Sequence, residues 1–293
     1  MDQVRIRVKL VSEPVVVPMA EMRIRDDGME QLLEWLKEYD PACLDPEVHD
    51  PRAAIFPHDG TDAGPAGVGR RTLTDGESYT ELCGRGCYRS YGEKAGRKSN
   101  AEYLANLFGE PGKIPHASVL YHAKLSFFFA NISRRVSHEL IRHYVGADRD
   151  EEGSPSQEST RFAHHPGWFS LHPRDVENQE ERLAFERDMQ EAYESYLNYL
   201  NRQVRDFADH HGEPPKGMDK KRIYESAAQR LPGAACTSFY WTTNPEALSK
   251  LFRERCDYAA DLEIQRFARK LQQVCYREWP NLFRESNYAY RNT

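Results

Sequence analysis

No apolar run in this chain approaches the roughly 20 residues that a membrane-spanning helix requires. The longest candidate, Leu125 to Ile132, is strand-sized. Met1 to Leu10 alternates charged with apolar groups and lacks the pattern of a signal peptide. These absences predict a soluble, cytoplasmic protein with no membrane partner. Positive charge is also scarce in the balance. The formal net charge is -6, which argues against a broad surface for a nucleic-acid polymer. A single nucleotide needs only a few local arginines and stays open. The six cysteines (Cys43, Cys83, Cys87, Cys236, Cys256, Cys275) show no disulfide framework and read as reduced thiols in or near the core. Cys83 and Cys87 are close, but no second pair completes a zinc site, so no metal is expected. There is no Gly-x-Ser-x-Gly elbow and no recognisable cysteine–histidine pair. No glycine-rich loop follows a strand, which disfavours Rossmann and P-loop nucleotide sites. Chemistry here is expected to rely on a bound cofactor, with the protein supplying orientation and charge.

What is present is a mixed set of elements. At 293 residues the chain can bury a substantial core. It reads as one catalytic domain over 1–293 with an irregular excursion at about 41–75, rich in proline, glycine and aspartate. Val4 to Val11 alternates as a strand, and Met29 to Tyr39 reads as an amphipathic helix. Asn100 to Phe108 is helical, and Val119 to Ile132 holds a strand-like run. Ser133 is a plausible N-cap for a helix over Arg134 to Tyr144. Glu177 to His210 is a long charged helix with Leu183, Phe185, Met189, Tyr193, Tyr196, Leu197 and Leu200 as its apolar set. Lys220 to Arg230 is a further helix, broken by Leu231-Pro232-Gly233. Cys236 to Thr242 is a strand, followed by helices over Pro245 to Arg255 and Ala259 to Arg277. The expected class is α/β or α+β, with few strands and several long helices.

Two adjoining segments stand out. On the helix Arg134 to Tyr144, Arg135, His138 and Arg142 share a face, where three potential cations would repel unless an anion sat nearby. His138-Glu139 invites a zinc-protease reading, but His143 follows five residues later, which turns the two imidazoles about 140° apart. Ser154 to Phe162 offers three serine hydroxyls, the Gln157 amide, the Glu158 carboxylate and Arg161. Hydroxyls and amides can read the edge of a uracil or an isoalloxazine, and an arginine can hold a phosphate. His116, in His116-Ala117-Ser118, is by itself more ordinary. Arg255 and Glu263, downstream of Asn244, look like helix-surface charges.

In order, these segments resemble the flavin-dependent thymidylate synthases. Leu82-Cys83-Gly84-Arg85-Gly86-Cys87-Tyr88 resembles an early Arg-x-Ser/Cys-Tyr segment. His116 to His122 is similar to a His-x-Ser-x-x-Glu-His motif, with Tyr121 in the glutamate position. Ser133 to His143 resembles the helix before Arg-His-Arg, and Ser154 to Phe162 the Ser-x-x-x-x-Ser-x-Arg-Tyr motif. Phe239 to Asn244, through Arg255 to Glu263-Ile264, matches in spacing. The resemblance implies a mixed α/β fold with a small central antiparallel sheet and long helices, a homotetramer, and FAD bound between subunits. It implies reduction by NADPH and transfer of a one-carbon unit from methylenetetrahydrofolate to C5 of a uridine nucleotide. On matching positions, Arg142, His143, Ser118, His116, Asn244 and Ser154 would serve the cofactors. Glu139, Gln157, Ser159, Arg161 and Arg255 would hold the nucleotide, with Arg255 and Ser159 as the catalytic pair.

The departures cluster near the same sites. Tyr144 replaces an arginine, and Val145 to Gly153 is an acidic insert. Ala228 aligns with an arginine that binds phosphate. Glu246, Lys250 and Ala259 replace arginine, asparagine and histidine. These changes imply a roomier pocket and an enzyme accepting UMP as well as dUMP, as in the making of 5-methyluridine units of nucleoside antibiotics. The alternative is a flavin- or nucleotide-binding protein with impaired catalysis.

Overall fold

The computed structural model describes residues 7–56, 58, 60–63, 70–96, 98–107, 116–144 and 154–283. The insert at 145–153 lies outside the described residues, as do the side chains of Arg142, Tyr144 and Ser154. The elements run β1 (Lys9–Val11), β2 (Val15–Glu21), α1 (Asp26–Tyr39), α2 (Pro51–Ile55), β3 (Thr61–Ala63), β4 (Arg70–Thr72), α3 (Asp75–Tyr88) and α4 (Asn100–Leu107). They continue with α5 (Ala117–Leu120), β5 (Leu125–Ser133), α6 (Arg134–Tyr144), β6 (Ser154–Gln157), β7 (Trp168–Ser170), α7 (Gln179–His211), α8 (Gly217–Ala228), β8 (Cys236–Thr243), α9 (Pro245–Arg255) and α10 (Leu262–Glu278). The class is mixed α/β. Among the described residues no helix is long and apolar enough to cross a membrane.

The main sheet has the order β2-β5-β8-β6, with every neighbouring pair antiparallel. Its two central strands alternate. Leu125, Phe127 and Phe129 of β5, with Phe239 and Trp241 of β8, face a core closed by Val136 and Leu140 of α6, Leu248, Leu251 and Phe252 of α9, and Phe267 and Leu271 of α10. The opposite face carries Phe128 against Tyr240, and Ser126 hydrogen-bonded to Thr242 at 2.8 Å. The register shifts between Phe129 and Ile132, where Asn131 takes φ 58°. Asparagine tolerates that left-handed conformation better than most residues. After the bulge, Ile132 faces the core and Ser133 ends the strand at the start of α6. Ser133 Oγ accepts from Val136 N at 3.1 Å, the expected N-cap, and donates to Glu263 Oε2 at 2.7 Å.

A second cluster packs α7 and α8 around Phe169, Met189, Tyr193, Tyr196 and Leu200. A third joins α1 and α2 around Met29, Leu36, Cys43, Ile55 and Phe56.

Several expectations are corrected. The strand expected from Val4 is Lys9–Val11 within the described residues, paired in parallel with β7. The strand-like run expected within Val119 to Ile132 is present as β5 from Leu125, after α5 closes one helical turn. The excursion at 41–75 has short elements among its described residues. It holds a 3-10 turn at Pro41–Cys43, α2 and the β3–β4 hairpin, all too short to show periodicity. Asp50 caps α2 by accepting from Ala53 N, and Pro51 fits its first turn. Leu183 of α7 is exposed. The helix expected from Ala259 starts at Leu262, because Asp261 Oδ1 accepts from Glu263 N and sets the N-cap there. Ser154 to Gln157, given no element from the sequence, is an edge strand on β8, and such an edge tolerates Pro155.

Candidate functional site

The C-terminal ends of α6 and α9 meet. Arg255, the last residue of α9, donates from Nε to Nε2 of His143 at 2.9 Å, across 112 positions of sequence. His143 is buried. A guanidinium N–H pointing at Nε2 makes that nitrogen the acceptor, so the ring is neutral with its proton on Nδ1. Glu254 Oε2 lies 4.0 Å from the same Nε2. One helical turn before His143, Glu139 Oε2 lies 3.7 Å from Arg255 Nη1. That separation is longer than a hydrogen bond, so the terminal N–H groups of Arg255 retain capacity for another acceptor.

Glu139 sits in a mixed field. Arg135 Nε is 4.0 Å away, but Arg135 makes its closer contact with Asp261, at 2.6 Å. Burial, together with the nearby Asp261 charge, pushes the Glu139 carboxyl above the ordinary range, against the pull of Arg255 and Arg135.

The second group lies along the other side of α6. Gln157 of β6 donates from Nε2 to Ser137 Oγ of α6 and to Thr237 Oγ1 of β8, each at 3.0 Å. Its carbonyl oxygen is the remaining acceptor. Arg134 donates to the Glu158 carbonyl at 3.0 Å, and Glu158 Oε2 accepts from Ser238 at 3.2 Å. Half-buried Ser159 then starts a turn: its Oγ accepts from Arg161 N, and its carbonyl from Phe162 N and Ala163 N. Arg161 is exposed and its Nε lies 2.7 Å from Glu225 Oε1 on α8.

The remaining residues singled out in the sequence are placed as follows. Asn244 is fully buried and caps α9 by accepting from Ala247 N at 2.9 Å. It therefore orients the helix that ends in Arg255. Ser118 and His116 are exposed at α5, with the His116 ring edge-on to exposed Tyr88. Glu263, read as a helix-surface charge, is instead a tie. Its Oε1 accepts from Ser133 N and Ser170 Oγ, and its Oε2 from Ser133 Oγ, so it joins α10 to β5 and β7. Arg85 is buried within α3 against Glu81 and Tyr103, away from any open surface. Arg230 stacks 3.5 Å from the Tyr199 ring centroid.

Sequence reasoning missed Ser137, Asp261 and Glu225. Ser137 and Asp261 carry weak local signals, a hydroxyl beside Glu139 and an Asp two residues before Glu263. Glu225 gives none, since its partner is a loop residue 64 positions away.

The donor set suits a nucleotide: arginines for phosphate or a ring carbonyl, and an amide carbonyl and hydroxyls for a base edge. Comparison with known proteins gives a family match. The profile of the family described as thymidylate synthase complementing protein matches residues 71–281. A flavin-dependent thymidylate synthase of Mycolicibacterium gilvum (strain PYR-GCK) is 31% identical over 195 residues, covering 66% of this chain and 72% of the relative. One from Mycobacterium leprae (strain TN) is 30% identical over 210 residues, covering 70% and 78%. Every site residue named above lies within the matched span. The chain belongs to the thymidylate synthase complementing protein family, the family of the flavin-dependent thymidylate synthases.

Proposed function

We propose that this protein methylates C5 of a uridine nucleotide, with methylenetetrahydrofolate as one-carbon donor, NADPH as reductant and FAD as the bound cofactor. The observation that carries the reading is the junction of Arg255, His143 and Glu139, where a partly open guanidinium is aimed by a neutral imidazole. FAD, when bound, would relay reducing equivalents from NADPH to the transferred carbon. Arg255 uses its Nε to fix its own orientation on His143. Its terminal N–H groups then stabilise the negative charge that develops on a uracil carbonyl during attack at C5. The Gln157 carbonyl accepts from the base N–H, Ser159 offers its hydroxyl to the nucleotide, and Arg161 binds the phosphate. Glu139, 3.7 Å from Arg255 Nη1, is assigned with it to the nucleotide. Arg142, His143, Ser118, His116, Asn244 and Ser154 are assigned to the cofactor side, with Asn244 acting through its cap on α9. Ser118 and His116 stand exposed, in keeping with a cofactor shared between subunits of a homotetramer.

The substrate reading is UMP alongside dUMP, supported by the changes at Tyr144, Ala228, Glu246 and Ala259 and by the acidic insert. Tritium release from C5-labelled UMP and dUMP, with FAD, NADPH and methylenetetrahydrofolate present, tests both parts. Release from both is expected. Release from neither refutes methylation, and release from dUMP alone refutes the ribonucleotide part.

A further inference from the structure

We propose that Lys221 of α8 joins Arg161 as a clamp for a phosphate monoester, and that Glu225 is the counter-ion the phosphate displaces. This deepens the uridine-nucleotide reading and rests on it. Arg161 Nε lies 2.7 Å from Glu225 Oε1, and Lys221 Nζ lies 3.9 Å from that same oxygen. The exposed Phe162 ring sits beneath both cations, 5.8 Å from the Arg161 guanidinium carbon and 5.5 Å from Lys221 Nζ. Two cations thus share one carboxylate over an aromatic face, beside the turn begun by Ser159.

Helix stability does not explain this arrangement. Lysine placed four residues before glutamate is the weaker orientation of such a pair, and a pair 3.9 Å apart, beyond hydrogen-bond distance, contributes little. Lys220, Lys221 and Arg222 follow Asp219, the acidic residue of the first turn of α8, and put three consecutive cations on the helix. A site that will receive a dianion suits such a run. Lys221 is the basic residue on the α8 face that also carries Ala228, seven residues on, so it is the cation this face offers. A phosphate entering between Arg161 and Lys221 replaces a single carboxylate with two negative charges and more acceptor oxygens.

Calorimetric titration of the full-length protein, with FAD present, compares UMP with uridine. The wild type is expected to bind UMP more tightly. Lys221→Met should cut the UMP-to-uridine affinity ratio about tenfold, the size of one lost charge-assisted hydrogen bond, and leave uridine affinity in place. Lys221→Arg should restore the ratio. Glu225→Gln should raise UMP affinity a few-fold, since the phosphate no longer displaces a carboxylate. An unchanged ratio in Lys221→Met, with UMP still bound by the wild type, overturns the clamp. A loss of UMP affinity in Glu225→Gln overturns the counter-ion role. Failure of the wild type to bind UMP or dUMP would instead overturn the uridine-nucleotide reading.

Discussion

Two carboxylate–arginine clusters in this molecule use the same chemistry to opposite ends. The first is sealed against α3. Glu77 takes both terminal nitrogens of Arg71, at 2.8 and 2.6 Å, together with the backbone N–H groups of Thr74 and Asn281. Glu81 is met by Arg85 at 2.7 Å, His58 at 2.8 Å and Asn100 at 2.7 Å. Burial pushes the Glu81 carboxyl up, yet the His58 hydrogen bond, the Arg85 and His58 charges and the Asn100 amide outweigh it, and the net shift is downward. The second cluster is the candidate site. Glu139 has Arg255 and Arg135 only at 3.7 and 4.0 Å, and the net shift is upward. A completed network pulls its carboxylate's pKa down. A network short of close partners pushes it up and keeps capacity for a ligand.

Breaking the sealed cluster should have the largest effect. Glu81→Ala leaves Arg85 buried without its charge partner, and urea unfolding is expected to show a loss of about 3–5 kcal/mol. The pH dependence has a definite sign. The folded-state value of Glu81 is lowered, so its contribution is full above the ordinary carboxylate value and disappears as pH falls through the lowered one. The gap between wild type and variant should therefore narrow in acid. A gap that widened in acid would contradict the assignment.

Within the site, Arg255→Ala should lower turnover by about 10²–10³-fold, the usual size for removal of one donor to developing charge. FAD uptake, followed by absorbance, should change far less. Comparable losses in both would reassign Arg255 to cofactor binding.

The smallest effect sharpens the contrast most. The folded-state value of Glu139 is raised, so its ionised form is disfavoured by folding at neutral pH. Its favourable contribution is present below the ordinary carboxylate value and is lost as pH rises through the raised one. Glu139→Gln should thus match or exceed the wild-type Tm at pH 7, with the difference closing as pH falls. A clearly lower Tm at pH 7 would mean that Glu139 is as well compensated as Glu81.

Much of the fold was legible because its main elements obey one period over enough residues. The alternation through Leu125, Phe127 and Phe129 marks a strand with one buried face, and the apolar set of α7 marks a helix. Pro245 to Arg255 could be bounded because Pro245 fits a first helical turn. The excursion at 41–75 was illegible because its elements are three to five residues long. The residues proposed for the site were chosen as types, on the strength of their motifs. Their roles relative to one another were not legible, since Asn244 as a cap and Glu263 as a tie look like any polar side chains in sequence.

By itself, the sequence determined the class of the fold, the family, and the kinds of groups available for a nucleotide: arginines, hydroxyls and amides in a fixed order. Local periodicity and capping are properties of near neighbours, and a string of residues records them. Tertiary structure decided which groups act together. It joined His143 to Arg255, hung Gln157 on Ser137, and set Arg161 and Lys221 on one carboxylate. Those pairings follow from how α6 and α9 pack against each other and the sheet, and from where α8 sits against α7. Electrostatics is a matter of ångströms in space, so the environments of Glu81 and Glu139 could be told apart only there.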